Sequence, residues 1–215
     1  MNFSKILNIV LAVTMLILII KFSPTTSKSQ ETDAPVETVS TRDAVLSTIQ
    51  SRKSVRHFTD KIISEEDMTT VLRAGMAAPT AMDKRPWQFI VIRDTTMMKE
   101  LRKGLYYARG LDQSTAAIVV CGDMTKVLKD SPEFWITDTS AATENILLAL
   151  ESMGLGGVWS GVYPSEKAMT FVSGLLNLPE TILPLNIIPV GYPAGFEKPK
   201  DKFDTSTIHY EKWAN

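Results

Sequence analysis

The chain has 215 residues, 44% hydrophobic and 22% charged, which is an ordinary globular composition. Its 23 lysine and arginine residues nearly balance 24 acidic residues, so a formal charge of -1 provides no basic field that would gather nucleic acid. The single cysteine, Cys121, excludes a disulfide within this sequence, and its position in an apolar run predicts a buried thiol.

The N-terminal region has the pattern of a targeting segment. Residues 6–20 are apolar at all but two positions, and Lys5 and Lys21 flank them. This length falls between an exported leader's apolar core of about 7 to 15 residues and a membrane-spanning helix of about 17 to 25. Two interpretations of residues 1–22 therefore stay open, a signal peptide and a membrane anchor. Both predict an exported, periplasmic or extracytoplasmic domain, or one attached to a membrane.

A linker and the start of the folded domain follow. Residues 23–40 are rich in Ser, Thr, Pro, Glu and Gln, which bury too little apolar surface to offset the entropy of ordering. We expect a flexible linker there and one folded domain over residues 41–215. Near its start, Val45, Leu46 and Ile49 are spaced as the apolar face of a short helix.

The next elements alternate between helix and strand. Ser64, with Asp67 three residues later, predicts the start of a second helix that ends near residues 76–79. The apolar runs Trp87–Ile92 and Ala116–Cys121 predict two buried strands.

The second half continues the alternation. We expect Asp138 to cap a third helix, which is apolar on several sides and therefore central, and Gly154 to stop it. A short strand is expected at residues 158–160, a helix from Ser165 to about Leu176, and a strand over Leu185–Gly191. Together these elements predict the α+β class, with a mixed central sheet packed by helices.

Two basic segments are candidates for binding an anion. Arginine presents a rigid fork of donors to phosphate oxygens, lysine a point charge and serine a small hydroxyl donor. The first segment, at the end of the first helix, contains Arg52, Lys53, Ser54 and Arg56, and the second contains Lys198, Lys200 and Lys202. Taken alone, each segment is more often a group of solvated surface charges.

Two loops of small residues complete the candidate site. The first consists of Pro79, Thr80, Ala81, Met82 and Asp83 and precedes a Pro-Trp pair. The second, Gly154–Gly161, is rich in glycine and includes Trp159, Ser160 and Gly161. Small side chains allow backbone amides to approach a planar ligand. Neither loop has the glycine spacing of a phosphate loop or a Rossmann dinucleotide site.

In this order and spacing, the two basic segments and the two loops resemble the nitroreductase family of flavoproteins, over residues 41–213. The motifs that carry the resemblance are Arg-Lys-Ser-Val-Arg, Ala-Pro-Thr-Ala-Met before Pro-Trp, Gly-Leu-Gly, and Val-Gly-Tyr-Pro ahead of the terminal lysines. The resemblance implies an obligate-type α+β homodimer with two FMN sites in the subunit interface, each built from both chains.

The resemblance also implies a role for each site residue. Arg52, Lys200 and Lys202 would neutralise the FMN phosphate, while Lys53 and Ser54 would hold the ribityl chain and the pyrimidine edge. Arg56 would lie near ring N1 and O2, where a cation stabilises the charge that reduction adds. The loop formed by Pro79, Thr80, Ala81, Met82 and Asp83 would reach in from the partner chain. Trp159, Ser160 and Gly161 would lie beside the reactive N5, mostly through backbone groups.

The chain departs from the family pattern in the first loop. It has Asp83 and Arg85 where an asparagine and a glutamine are common. An ionised Asp83 can accept from ring N3–H but opposes negative charge on the ring, and Arg85 is expected to offset it. We therefore expect Asp83→Asn to retain FMN and to raise its reduction potential. The polar residue that some relatives have around Tyr107 has no counterpart that can be named.

The function implied is an FMN-dependent oxidoreductase. It uses NADH or NADPH to reduce nitroaromatics, quinones or similar acceptors by a two-electron ping-pong mechanism, with no side chain required as acid or base. The alternatives are a membrane-tethered FMN electron carrier, a reductive dehalogenase or dehydrogenase, and a domain without cofactor. The two histidines, His57 and His209, are too few and too far apart to predict a metal site.

Overall fold

A computed structural model describes residues 40–195 and 197–213. The helices are α1 Thr41–Ser51, α2 Glu65–Met76, α3 Thr95–Gly104, α4 Phe134–Ser152 and α5 Glu166–Leu175. The strands are β1 Trp87–Ile92, β2 Ala116–Asp123, β3 Gly156–Gly157, β4 Ser160–Gly161 and β5 Ile182–Gly191. Short 3-10 turns occur at Ala81–Asp83, Arg109–Asp112 and Thr205–Thr207.

The predicted N-terminal targeting segment and nearly all of the predicted linker lie outside the described residues. Within residues 40–195 and 197–213, no helix combines the length and the apolar character needed to cross a membrane.

The strands form one sheet in the order β1-β2-β5-β3, and β4 also pairs with β5. Every ladder between these named strands is antiparallel, and the parallel component is a single bridge between Ser54 and Gly157. The predicted α+β class, with helices packed on a central sheet, is confirmed. Strand β5 pairs with three other strands, and through β3 and β4 it positions the glycine-rich turn, Gly154–Gly161, next to the sheet.

Side chains of β2 alternate between two apolar layers. Ala117, Val119 and Cys121 pack with α3 and α5 on one face of the sheet, whereas Ile118 and Val120 pack with α2 and α4 on the other. This alternation follows from the two-residue period of a strand. Because Cys121 lies inside the first layer, burial raises the pKa of its thiol to about 12. The predicted buried thiol is confirmed.

The predicted strands are present with different limits. β1 has the expected limits, but four of its six side chains are only partly buried because it is an edge strand, so the prediction of full burial is wrong for it. β2 extends two residues beyond Cys121 and β5 begins three residues before Leu185. In place of one strand at residues 158–160, the turn forms β3 and β4, two short pairings with β5.

Helix α3 is an element that the sequence analysis did not predict. Asp94 caps it by accepting from the amides of Thr96 and Met97, and Met98 and Leu101 are buried against the sheet. These cap and spacing signals are visible in the sequence. Helices α2 and α5 begin as predicted, because Ser64 and Ser165 cap them.

The predicted cap of the central helix is wrong. Helix α4 begins at Phe134, four residues before Asp138, and the residue at its N-cap position makes no side-chain capping hydrogen bond. Asp138 lies inside the helix, where only 5% of the residue is exposed. The predicted stop is confirmed, because Gly154 adopts φ +68° just beyond the helix end, a conformation that glycine adopts at little cost.

Candidate functional site

The first basic segment follows α1 and lies against the glycine-rich turn. The amide of Val55 donates to the carbonyl of Gly157 at 3.1 Å, and Ser54 forms the parallel bridge with the same glycine. A Cβ at Gly156 would lie 2.6 Å from the side chain of Val55. The small residues of this turn therefore allow the first basic segment to pack closely against the sheet. They would also allow a ligand to approach the backbone of the turn.

The second basic segment is held next to the first. The amide of Ala194 donates to the carbonyl of His57 at 2.9 Å, and Phe58 forms a bridge with Pro193. Together the segments enclose a cavity of about 360 Å³. Its lining, called the cationic cavity below, consists of Arg52, Lys53, Ser54, Arg56, Glu197, Lys198, Lys200 and Lys202. The two basic segments therefore meet as expected, and the individual FMN contacts remain a prediction.

Two cations of the cavity have carboxylate partners on α4. Arg52 Nε lies 3.0 Å from Glu144 Oε1, and Lys53 Nζ lies 2.9 and 3.1 Å from the two oxygens of Glu151. Within the described residues, the three terminal lysines of the cavity have no carboxylate oxygen within 4.0 Å of their ammonium groups. The cavity thus retains positive charge that is available to an anion.

A single carboxylate, Glu197, lines the same cavity. Its Oε1 accepts from the Arg56 amide at 3.2 Å and contacts His57 Nδ1 at 3.4 Å. Burial alone would raise the pKa of Glu197, but hydrogen bonds from the Arg56 amide, its own amide and the His57 ring outweigh burial, so the pKa is lowered. The buried Oε2 has no hydrogen-bond partner among the described residues. Glu197 therefore joins the two basic segments as an ionised acceptor.

The small-residue loop is separate from this cavity within one protomer. None of its five predicted site residues, Pro79, Thr80, Ala81, Met82 and Asp83, is among the described residues that line the cavity. The loop is instead attached to α4, because the Ala81 amide donates to Asp138 Oδ1 at 3.0 Å.

An ion pair occupies the exposed end of the loop. Arg85 donates through Nε and Nη2 to the two oxygens of Asp83, both at 2.6 Å. The hydrogen bond from Arg85 is the main reason that the pKa of Asp83 is lowered, so this carboxylate is ionised. The ion pair leaves the net charge of Asp83 and Arg85 near zero, and the effect of the two residues on a flavin stays a prediction.

The predicted N5-side residues lie at the end of the glycine-rich turn. Trp159 is partly exposed, Ser160 is buried, and the carbonyl of Gly161 accepts from the Tyr107 hydroxyl at 2.6 Å. Burial raises the pKa of Tyr107, with a smaller effect of Tyr106, so the hydroxyl keeps its proton. The sequence analysis did not identify this contact, which joins residues 54 positions apart. No local pattern predicts it.

The donor chemistry of these elements suits a flavin mononucleotide. A phosphate matches the unpaired lysines of the cationic cavity. Near Gly161, the Tyr107 hydroxyl donates to the Gly161 carbonyl and the Tyr106 ring packs edge-on against Tyr107. Trp159 and Tyr163, two residues to either side of Gly161, are also partly exposed, so the four side chains offer aromatic surface to a planar ring. The loop of Pro79–Asp83 does not contribute to the lining of the cationic cavity among the described residues.

The chain is similar to known proteins of one family. A family model described as the nitroreductase family matches residues 49–106 and 97–192. A protein of Archaeoglobus fulgidus, whose name proposes an NADH dehydrogenase/NAD(P)H nitroreductase, is 43% identical over 171 residues, 78% of this chain and 98% of that protein.

Two solved structures are also similar. A Parabacteroides distasonis protein with the same proposed activity in its name is 47% identical, with a TM-score of 0.75 over 79% of this chain and 98% of that one. An FMN-dependent nitroreductase from Clostridium difficile is 25% identical, with a TM-score of 0.72 over 78% of this chain and 99% of that one.

Proposed function

Because the chain belongs to the nitroreductase family, we propose that it is an FMN-dependent oxidoreductase that takes two electrons from NADH or NADPH. It passes them to an oxidised acceptor such as a nitroaromatic or a quinone. The observation that carries the proposal is the cationic cavity, in which two basic segments more than 140 residues apart enclose a space suited to a phosphate.

The cavity residues bind and orient the cofactor. Lys200 and Lys202 are free of carboxylate partners among the described residues and supply charge to the phosphate, together with Arg52. Lys53, fixed by its half-buried ion pair with Glu151, and Ser54 hold the sugar chain and the pyrimidine edge. These contacts to FMN are proposed on the family pattern.

FMN, when bound, supplies the chemistry of hydride and electron transfer, so no side chain is needed as nucleophile or acid. Arg56 is the residue proposed to stabilise negative charge at the pyrimidine edge, and its guanidinium is exposed on the cavity wall. The Tyr107 hydroxyl donates to the Gly161 carbonyl and so fixes the backbone that, on the family pattern, would lie near N5 of a bound flavin.

We further propose that the protein is a homodimer. The apolar face of α1 is uncovered in one protomer, where Val45, Leu46 and Ile49 are 54%, 42% and 50% exposed. Exposed large apolar side chains also occur at Phe203, Ile208, Tyr210 and Trp213 in the C-terminal residues. Several large apolar side chains exposed on one helix face are often covered by a partner. In the dimer, the loop of Pro79–Asp83 completes the site of the other protomer.

The sequence of residues 1–22 supports a proposal about location. An apolar segment preceded by Lys5 exports the domain across a membrane or anchors the domain at one. Soluble NADH and NADPH are scarce outside the cytoplasm, so an exported domain would need another electron donor.

The proposed function is tested with the purified full chain. We expect a flavin absorption spectrum, release of FMN on denaturation, bleaching by NADH or NADPH, and reoxidation by a quinone. Bound flavin that no nicotinamide bleaches would indicate the tethered electron carrier instead. Protein that stays colourless after incubation with FMN would refute the proposal.

The cavity itself is tested by removing its phosphate contacts. We expect Lys200→Ala with Lys202→Ala to weaken FMN binding by about tenfold or more, since each charged contact is worth roughly 1 kcal/mol. Riboflavin, which lacks the phosphate, should bind the variant and the wild type equally. The matched control, Lys99→Ala with Lys167→Ala, removes two exposed lysines from α3 and α5. Equal loss of FMN and riboflavin affinity would contradict the assignment.

A further inference from the structure

Asp138 is a buried carboxylate on α4 that the cationic cavity does not use. Its Oδ1 accepts from the Ala81 amide at 3.0 Å, and no basic nitrogen of the described residues lies within 4.0 Å of it. A buried carboxylate without a cation is costly. Burial raises the pKa of Asp138, and the hydrogen bond from Ala81 reduces this effect. Burying this carboxylate is costly, and among the described residues its side chain makes one hydrogen bond, with the Ala81 amide. We therefore expect that hydrogen bond to be the role of Asp138.

The loop that Asp138 contacts has a conformation that needs support. Met82, Asp83 and Arg85 have φ values of 50°, 54° and 50°, in the left-handed region that side chains other than glycine rarely adopt. Three such residues in one loop persist only where other interactions fix the backbone.

The remaining hydrogen bonds of residues 80–85 lie within the loop. The amides of Asp83, Lys84 and Arg85 donate to acceptors on Thr80 or Ala81, and Arg85 pairs with Asp83. Among the described residues, the contact with Asp138 is therefore the hydrogen bond that joins residues 80–85 to another element. It connects the loop to the most central helix, across 57 positions of the chain.

We propose that Asp138 is a positioning residue, which holds the loop of Pro79–Asp83 in the shape that contacts the flavin. This inference rests on the proposed function for the flavin contact, but the anchoring of the loop is independent of it. In the proposed homodimer, Asp138 of one protomer acts on the site of the other protomer. The same helix carries Glu144 and Glu151, which position the basic segment of its own site. Helix α4 therefore orders parts of both sites.

The first test removes the acceptor while keeping a similar volume. In the flavin-free full chain, we expect Asp138→Leu to speed hydrogen exchange of the Ala81 amide by about tenfold or more and to weaken FMN binding by a similar factor. Asp138→Asn keeps an oxygen acceptor and is expected to stay within about threefold of the wild type in both measurements.

The matched control is Thr139→Val on the same helix. Thr139 is fully buried and its hydroxyl donates only to carbonyls of α4, at Trp135 and Ile136. We expect it to leave Ala81 exchange and FMN affinity unchanged. Equal effects of Thr139→Val and Asp138→Leu would overturn the proposal, because the cause would then be general disturbance of α4.

A reciprocal variant removes the donor. Ala81→Pro deletes the amide hydrogen at the first position of a helical turn, where proline is tolerated, and Thr80 before it is already extended at ψ 157°. We expect the double variant Asp138→Leu with Ala81→Pro to bind FMN no more weakly than the weaker of the two single variants. Additive losses would overturn the proposal, since they would show that Asp138 and Ala81 act separately.

Different results would refute the proposed function and the proposed anchoring of the loop by Asp138. Wild-type protein that binds no FMN refutes the proposed function, whereas Ala81 exchange in the flavin-free chain still reports the anchor. Unchanged exchange in Asp138→Leu refutes the anchor whatever the flavin does. Faster exchange with unchanged FMN affinity refutes the role of the anchored loop in flavin binding.

Discussion

Single residues adjust the charge around the proposed flavin. Asp83 and Arg85 replace uncharged residues that are common in the family, and they form a two-pronged ion pair with both contacts at 2.6 Å. The pair is exposed in one protomer, so its effect on stability is expected to be small. Its effect on a ring brought close by a partner chain is larger, because a covered site screens charge less.

We predict that Asp83→Asn retains FMN and raises its reduction potential, because the positive charge of Arg85 is then no longer neutralised. Arg85→Gln removes the positive charge of the pair instead, so it is expected to lower the reduction potential. The double variant should have a reduction potential near that of the wild type. Redox titration of the purified proteins measures all three. A potential that is unchanged or lower in Asp83→Asn would contradict the prediction.

At the scale of elements, hydrogen bonds between segments remote in sequence assemble the cationic cavity. Residues 52–58 are bound to β3 and to residues 193–194 just beyond β5, and Glu197 connects the second basic segment to Arg56 and His57. Ionised Glu197 among several cations keeps the two basic segments together although their charges repel. Its contribution should therefore depend on pH.

We predict that Glu197→Gln destabilises the protein by on the order of 1 kcal/mol at neutral pH. The folded pKa of Glu197 lies below its ordinary value of 4.5, so its stabilisation is fully present above 4.5 and disappears as pH falls through the folded pKa. Denaturant unfolding at several pH values should show the two proteins converging in acid.

The control for this measurement is Glu180→Gln, which removes an exposed carboxylate without a side-chain hydrogen bond among the described residues. It should change the free energy of unfolding little at any pH. A difference between Glu197→Gln and the wild type that is constant across the pH range would contradict an ionic role for Glu197.

For the whole molecule, the proposed site combines features that the described residues of one protomer do not bring together. The loop held by Asp138 does not line the cationic cavity among the described residues, whereas Ile49 on the uncovered face of α1 lies next to Arg52, Lys200 and Lys202 of that cavity. Helix α1 also carries the first basic segment at its C-terminal end. Dimer formation through α1 would therefore couple subunit contact directly to cofactor binding.

We predict that Val45→Asp with Ile49→Asp converts the proposed dimer to monomer and reduces FMN retention by about tenfold or more, because two charges cannot be buried in an apolar interface without cost. Analytical ultracentrifugation and FMN titration measure the two effects. Thr95→Asp with Thr96→Asp adds the same charge at the exposed start of α3, where acidic residues are tolerated. A variant that remains dimeric, or a monomer with full FMN affinity, would contradict the prediction.

The sequence by itself determined the features that depend on neighbouring residues. Serine caps at Ser64 and Ser165, the apolar period of the helices, and the run that became the buried strand β2 are visible within a few positions, because helix and strand periods repeat locally. The two basic segments could be identified for the same reason. Helix α3 was missed although its cap at Asp94 was equally local.

Only the tertiary structure decided which remote groups meet. Asp138 resembles an N-cap in sequence, but it is a buried acceptor for Ala81, and Tyr107 reaches the carbonyl of Gly161. Glu144 and Glu151 could not be assigned to Arg52 and Lys53 from local pattern. A side chain's partner across more than 50 positions is set by how helices pack on the sheet, and no spacing along the chain encodes that distance.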